Sequence, residues 1–175
     1  MTDLTTTQSP TEEANQAYQQ GDYENAARLF GEAASALQGT NPLETAELKN
    51  NQSVAWLKSG NAQAAYEAAR DTANVFTAAG DHRRAGMAWG NEAAALQELG
   101  RVNEALEKYR LSAEAFERAG EDQLRNDVFQ VMAGIKLKQG KVMEALFHMQ
   151  MGLAGVKHPS LKQKILLALL RFRTW

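Results

Sequence analysis

Apolar and polar residues follow one another along this chain with a helical period, and glycine cuts the pattern at regular intervals. Gly21, Gly60, Gly100 and Gly140 stand 39, 40 and 40 residues apart, and each opens a similar segment: GDYENAARLF, GNAQAAYEAA, GRVNEALEKY and GKVMEALFHM. Five residues after each glycine comes alanine (Ala26, Ala65, Ala105, Ala145), and twelve after comes a small residue (Ala33, Thr72, Ser112, Gly152). Sixteen after comes an apolar one (Leu37, Phe76, Phe116, Val156), and seven before is another small residue (Ala14, Ser53, Ala93, Ala133). Agreement at this many offsets in four copies marks an internal repeat.

A second punctuation series, Gly39, Gly80 and Gly120 with Pro159-Ser160 in the fourth slot, divides each repeat into two helices. Glycine suits both ends because a helix commonly closes on a left-handed residue. Asp22, Asn61 and Asp81 are placed to cap the helices that follow, and Asn41-Pro42 reads as an N-cap with proline at the first helical position. The expected helices are 11–20, 22–38, 42–59, 61–79, 81–99, 101–119, 121–139, 141–156 and 159–173. Small residues such as Ala93 and Ala105 let two antiparallel helices approach across a tight turn. Larger ones (Phe30, Phe76, Tyr109, Phe116, Met149) then fill the space between hairpins. No hairpin buries its apolar face alone, so the hairpins must stack. The expected fold is all-α: a right-handed α-solenoid of four helix hairpins plus a C-terminal helix. Residues 1–10 form a disordered lead-in, 11–157 the solenoid and 158–175 a capping or interface helix.

The pattern resembles the tetratricopeptide repeat (TPR), which has a glycine at the hairpin turn, an aromatic two later, alanine five later, an aromatic nine later and a small residue twelve later. Gly21-Asp22-Tyr23…Ala26…Phe30…Ala33 fits it best, Gly100…Ala105…Tyr109…Ser112 is close, and Ala69 and Met149 replace the second aromatic in the other two copies. The period of about 40 exceeds that family's usual length and is similar to its long-helix variant, found in spindle-orientation adaptors and kinesin light chains. The resemblance implies that the first helix of each pair lines a concave groove for an extended peptide or a helix. Nine residues before the turn glycines stand Glu12, Asn51, Asn91 and Val131. In the long-repeat variant asparagines there bond a peptide backbone, which suits an amide that both donates and accepts. The resemblance thus implies groove roles for Asn51 and Asn91, with Asn15, Val54, Lys58, Met87, Glu98, Leu137 and Lys138 lining the same surface. An interior asparagine that bonds a neighbour and binds nothing is an equally open reading. The carboxylate clamp of another subfamily is incomplete, since its basic positions hold Thr11, Met87 and Asn91. Arg83 and Arg84 stand in the first turn of their helix, where cations oppose the dipole, and read either as partner contacts or as plain surface.

The last segment, HPSLKQKILLALLRFRTW, puts Leu161, Ile165, Ala168, Leu169 and Phe172 on one face, as a terminal cap needs. Leu166, Leu167 and Leu170 extend the apolar surface beyond that face, which points to a further contact such as a homodimer interface.

Composition narrows the function. Hydrophobic residues make up 44% and charged residues 23% of 175, and net charge is −2, so nothing calls for nucleic acid. The absence of cysteine removes disulfides, thiolate metal sites and thiol nucleophiles, and fits a cytoplasmic setting. MTDLTTTQSP lacks the apolar core of a signal peptide, and ILLALL is too short to span a bilayer. His82, His148 and His158 are scattered without ligand spacing, and no nucleophile elbow or phosphate loop is present. The expectation is a non-catalytic adaptor without cofactor or metal that binds a protein or peptide, with self-association through the C-terminal helix as the alternative.

Overall fold

The computed structural model describes residues 9–154, 156, 159–161, 163, 164 and 168. Among them there is no strand, and nine helices are described from end to end: α1 (Pro10–Gln19), α2 (Tyr23–Ala36), α3 (Pro42–Lys58), α4 (Ala62–Ala69), α5 (Thr72–Ala78), α6 (His82–Glu98), α7 (Val102–Ala119), α8 (Asp122–Lys138) and α9 (Val142–Ala154). They pair as hairpins α1/α2, α3/α4–α5, α6/α7 and α8/α9, and each second helix also packs on the first helix of the next hairpin. The chain is an α-solenoid of TPR type.

All seven punctuating glycines, Gly21, Gly39, Gly60, Gly80, Gly100, Gly120 and Gly140, have φ between 71° and 85°. That left-handed conformation is the one an L side chain resists. Helix starts follow their expected caps at Asn41, Asn61 and Asp81, whose side chains accept from the backbone N–H of Glu44, Ala64 and Arg84. Asp22 makes no such bond and stays exposed. Ser9 and Pro10 are not part of a lead-in. Ser9 and Glu12 form a capping box, with Pro10 opening α1.

One helix departs from expectation. Residues 61–79 do not run unbroken; they divide at Arg70 and Asp71. Asp71 has φ 68°, the only positive value at a non-glycine among the described residues. The Thr72 hydroxyl donates to the Ala69 carbonyl at 2.7 Å and holds the break. Aspartate tolerates this conformation better than most side chains.

Alanine dominates the core. Ala93 and Ala105 are fully buried and share one cluster with Tyr109, Phe116, Val128, Met132 and Ile135 from α7 and α8. Phe30 anchors the first cluster and Phe76 the second-repeat cluster. Met149, the counterpart of Tyr109, is only half-buried, because no further hairpin lies beyond α9 among the described residues.

Ser160 and Gln163 bond each other's backbone N–H groups, so a helix begins where the repeat expects one. Leu161 is 74% exposed and Ala168 is exposed, so the face expected to cover the solenoid is not seated at these two positions. Leu166, Leu167 and Leu170 lie outside the described residues.

Candidate partner-binding face

Positions thirteen, nine, six and two before each turn glycine fall on one side of the first helix of each pair, because steps of four, three and four residues return to the same side. In α3 they are Glu47, Asn51, Val54 and Lys58; in α6 Met87, Asn91, Ala94 and Glu98; in α8 Asp127, Val131, Gly134 and Lys138; in α1 Glu12, Asn15 and Gln19. Every one is exposed or half-buried, while their neighbours toward the hairpin interior (Ala55, Ala93, Ala133) are fully buried. The stripe is thus an open face that crosses four helices. Leu137 stands one position off it. Its counterpart in α6 is Gln97, which accepts from the Tyr109 hydroxyl at 3.3 Å. Leu137 has no such tyrosine beside it and is exposed.

The asparagines of the stripe do not act alike. Asn15, Asn51 and Val54 converge on a cleft of about 230 Å³ between α1 and α3, with Tyr18 and Phe30 as its other walls. Asn15 and Asn51 make no side-chain hydrogen bond to any described residue. Asn91 does. Its Nδ2 donates to Oδ1 of Asn50 at 2.9 Å, joining α6 to α3. Asn50 is only 7% exposed. Asn51 and Asn91 therefore divide between the two readings open at this position: Asn51 has no described side-chain partner, and Asn91 is tied to the residue before its counterpart. Packing agrees, because α3 lies directly against α6 whereas α1 and α3 touch at most slightly.

Arg83 and Arg84 are not free surface cations. Arg84 bonds Asp81 at 2.7 Å and Glu47 of α3 at 3.0 Å, and its guanidinium lies over Phe76. Arg83 bonds Glu121, just before α8, at 2.8 Å. Arginine in the first turn of α6 therefore links successive first helices at one edge. The Arg84 backbone N–H, followed by its side chain, holds the Asp81 carboxyl below the usual carboxylate range. Glu47 is on the stripe but engaged, which leaves Glu12, Lys58, Glu98, Asp127 and Lys138 as its ionic groups without a charged partner.

Other polar features belong to the scaffold. Glu92 is almost fully buried and pairs with Lys108 at 2.9 Å, and that lysine lies over Trp89. A more open cleft of about 930 Å³ lies between α2 and α3, but its Arg28 is held by Glu32 and Asn25. Burial pushes the Tyr109 hydroxyl up to about 12, with Glu98 adding to the shift. His148 sits between Phe129 and Phe147, where burial and then Lys136 lower its affinity for a proton. Among the described residues no group of acidic and histidine side chains could hold a metal, and no helix is long and apolar enough to cross a membrane.

The repeat architecture has relatives. The model of the soluble NSF attachment protein (SNAP) family matches residues 7–151. The chain belongs to that family. A crystal structure of BtubC (BKLC) from P. vanneervenii is similar over 91% of this chain and 69% of its own, with TM-score 0.71 and 17% identity. A Podosopora anserina protein described as a kinesin light chain with nearly identical TPR-like repeats is similar over 94% and 92%, with TM-score 0.52 and 16% identity. At such identities the likeness is one of fold. No curated protein matches the sequence. The SNAP-type solenoid and its structural neighbours agree with the TPR pattern read from the turn glycines.

Proposed function

We propose that the chain is a non-catalytic protein-binding scaffold of the cytoplasm that takes an extended peptide or a helix of a partner along the open face of α1, α3, α6 and α8. The observation that carries this reading is the unpaired state of Asn15 and Asn51 on that face. A carboxamide left with both its donor and its acceptor free is ready to bond a peptide unit without reading its side chain. Asn91 is given up as an equal contributor, because one of its protons is already donated. Val54, Met87 and Leu137 supply apolar contact, and Lys58, Glu98 and Lys138 supply charge selectivity. The family is named for attachment to NSF, which fits a chain whose task is to hold another protein. Site-specific photo-crosslinking in the native host tests the reading. A photoreactive residue at Asn51 or Val54 is expected to trap a partner that one at Arg110, on α7, does not. Adducts from Arg110 alone would overturn it.

A second reading rests on α9. Three and seven residues after the turn glycine, the first three repeats carry Glu24, Gln63 and Asn103, then Arg28, Glu67 and Glu107. The fourth carries Met143 and Phe147, which are 66% and 57% exposed. Apolar residues at positions that are polar elsewhere favour self-association at this end. Sedimentation of the full chain tests this, and a monomer at every concentration rules it out.

A further inference from the structure

The second hairpin differs from the others at one point, and the difference is one of conformation, not of length. In α2, α7 and α9 the helix runs on past the ninth residue after its turn glycine, where Phe30, Tyr109 and Met149 stand. In the second repeat that place holds Ala69, and the helix ends there. Arg70 turns extended, with ψ 132°, and Asp71 turns left-handed, with φ 68°. Alanine leaves the space that a larger side chain fills in the other repeats. The break lets the backbone close on it, and Ala69 is fully buried.

Little stands between this form and an unbroken helix. Residues 61–79 contain neither glycine nor proline, so nothing in them forbids one. Ala65 and Ala69 before the break, and Thr72, Ala73 and Phe76 after it, are buried, as are Ala105, Tyr109, Ser112, Ala113 and Phe116 at the same offsets of the unbroken α7. Passing from one form to the other therefore exchanges no residue between core and solvent. What holds the break is slight. Against the left-handed Asp71, a conformation that L side chains resist, stand one hydroxyl bond from Thr72 to Ala69 and a 3.5 Å amide contact from Asn74 to Asp71. A cleft of about 220 Å³, with Thr45, Ala46 and Lys49 on one wall and Arg70, Asp71 and Val75 on the other, gives these residues room to move. Their place gives the movement reach. α4 and α5 each pack on both α3 and α6, and so stand between the stripe residues of α1 and α3 and those of α6 and α8.

We infer that residues 70–72 are a two-state hinge. The broken form exchanges with an unbroken helix over 62–78, and the exchange changes the angle between the α1–α3 part of the solenoid and the α6–α9 part. A partner that spans both parts selects one setting of the hinge. The hinge itself stands whether or not the stripe is what a partner touches.

Nuclear magnetic resonance of the full chain reads the local state, and pulsed electron-spin distance measurement reads the angle. The chain has no cysteine, so a spin label goes only where one is introduced, at Glu13 on α1 and Gln150 on α9, both exposed. The wild type is expected to show microsecond-to-millisecond exchange at residues 69–74 and two label distances. Asp71→Gly, which adopts the left-handed conformation freely, is expected to keep the broken-form signals and one distance. Asp71→Glu/Thr72→Ala places here the pair that α2 carries, Glu32-Ala33, and removes the hydroxyl that holds the break. It is expected to give helical Cα shifts at 70–72, amide exchange slower there by about tenfold or more, and the other distance. Broken-form signals in both variants, with no exchange in the wild type, would overturn the hinge, because the break would be fixed. Local exchange with a single unchanged label distance would overturn it too, because the two parts would not move. Should the double variant fail to fold, Asp71→Gly decides: the hinge fails unless that variant abolishes the exchange seen in the wild type.

Discussion

The junction between α1 and α3 and the junction between α3 and α6 are built from the same repeat positions, yet one is open and the other closed. Asn51 belongs to the first and faces a cleft with its amide unpaired. Asn91 belongs to the second and spends a donor on Asn50. The difference turns on the neighbouring residue. Asn50 stands one position before Asn51, and the matching residue in α1 is Thr11, whose shorter side chain offers no carboxamide oxygen to an incoming Asn51. A repeat position therefore sets where a side chain stands, and the adjacent helix decides whether it stays available. Fold-level symmetry overstates functional symmetry here.

The comparison can be broken most forcefully at Asn91. Its removal leaves a buried carbonyl oxygen on Asn50 without its donor, which costs about 1–3 kcal/mol. Asn51→Ala, by contrast, should change stability by less than about 0.5 kcal/mol, as for a surface position. Urea unfolding of both variants checks this, and equal losses would erase the distinction between the junctions. Next in size is Asp81→Ala. It removes the α6 cap and one of the two carboxylates that hold Arg84, a loss of about 1 kcal/mol at the closed junction, measurable as a lowered urea midpoint. Glu47→Ala breaks only the exposed link from α3 to Arg84 and is expected to cost below about 1 kcal/mol, less at high salt. A larger loss would mean that the edge ion pair, not Asn50, closes the junction.

The smallest expected effect lies outside both junctions. His148 binds its proton less readily when folded than the usual histidine value of 6.5, because burial and Lys136 oppose the charge. The unfolded chain therefore takes up the proton first. This contribution to stability is whole above pH 6.5 and declines as pH falls below it. The paired carboxylates Asp81, Glu104, Glu107 and Glu144, all shifted below their usual values, respond only in more acid solution. Thermal melts between pH 7.5 and 5.5 should show a decline that His148→Phe removes, while the gap between Asn51→Ala and Asn91→Ala persists.

The turn glycines made the fold legible, since each occupies a backbone conformation that few other residues accept. Helix bounds followed from them and from Asn41, Asn61 and Asp81. The break at Asp71 left no trace in spacing, because Gly60 to Gly80 is 20 residues, the same as Gly100 to Gly120. A substitution-like choice of conformation without insertion does not alter a period. That four positions of each first helix share one side follows from helical geometry, but which side stays open was implied only by the TPR resemblance. What could not be read one position per repeat was the bond between offset positions, nine before Gly100 and ten before Gly60. The doublet Asn50-Asn51 was the available signal. Arg83 and Arg84 were misleading for the same reason. Their partners Glu47 and Glu121 lie in neighbouring repeats, and a first-turn cation is readily explained once those carboxylates stand beside it.

The most direct measurement compares the affinity of a stripe-binding peptide for Asn51→Ala and for Asn91→Ala under conditions where both are folded. The open-junction account predicts about a tenfold loss or more for Asn51→Ala, and a change within about twofold for Asn91→Ala. Equal losses, or a larger loss at Asn91, would contradict it.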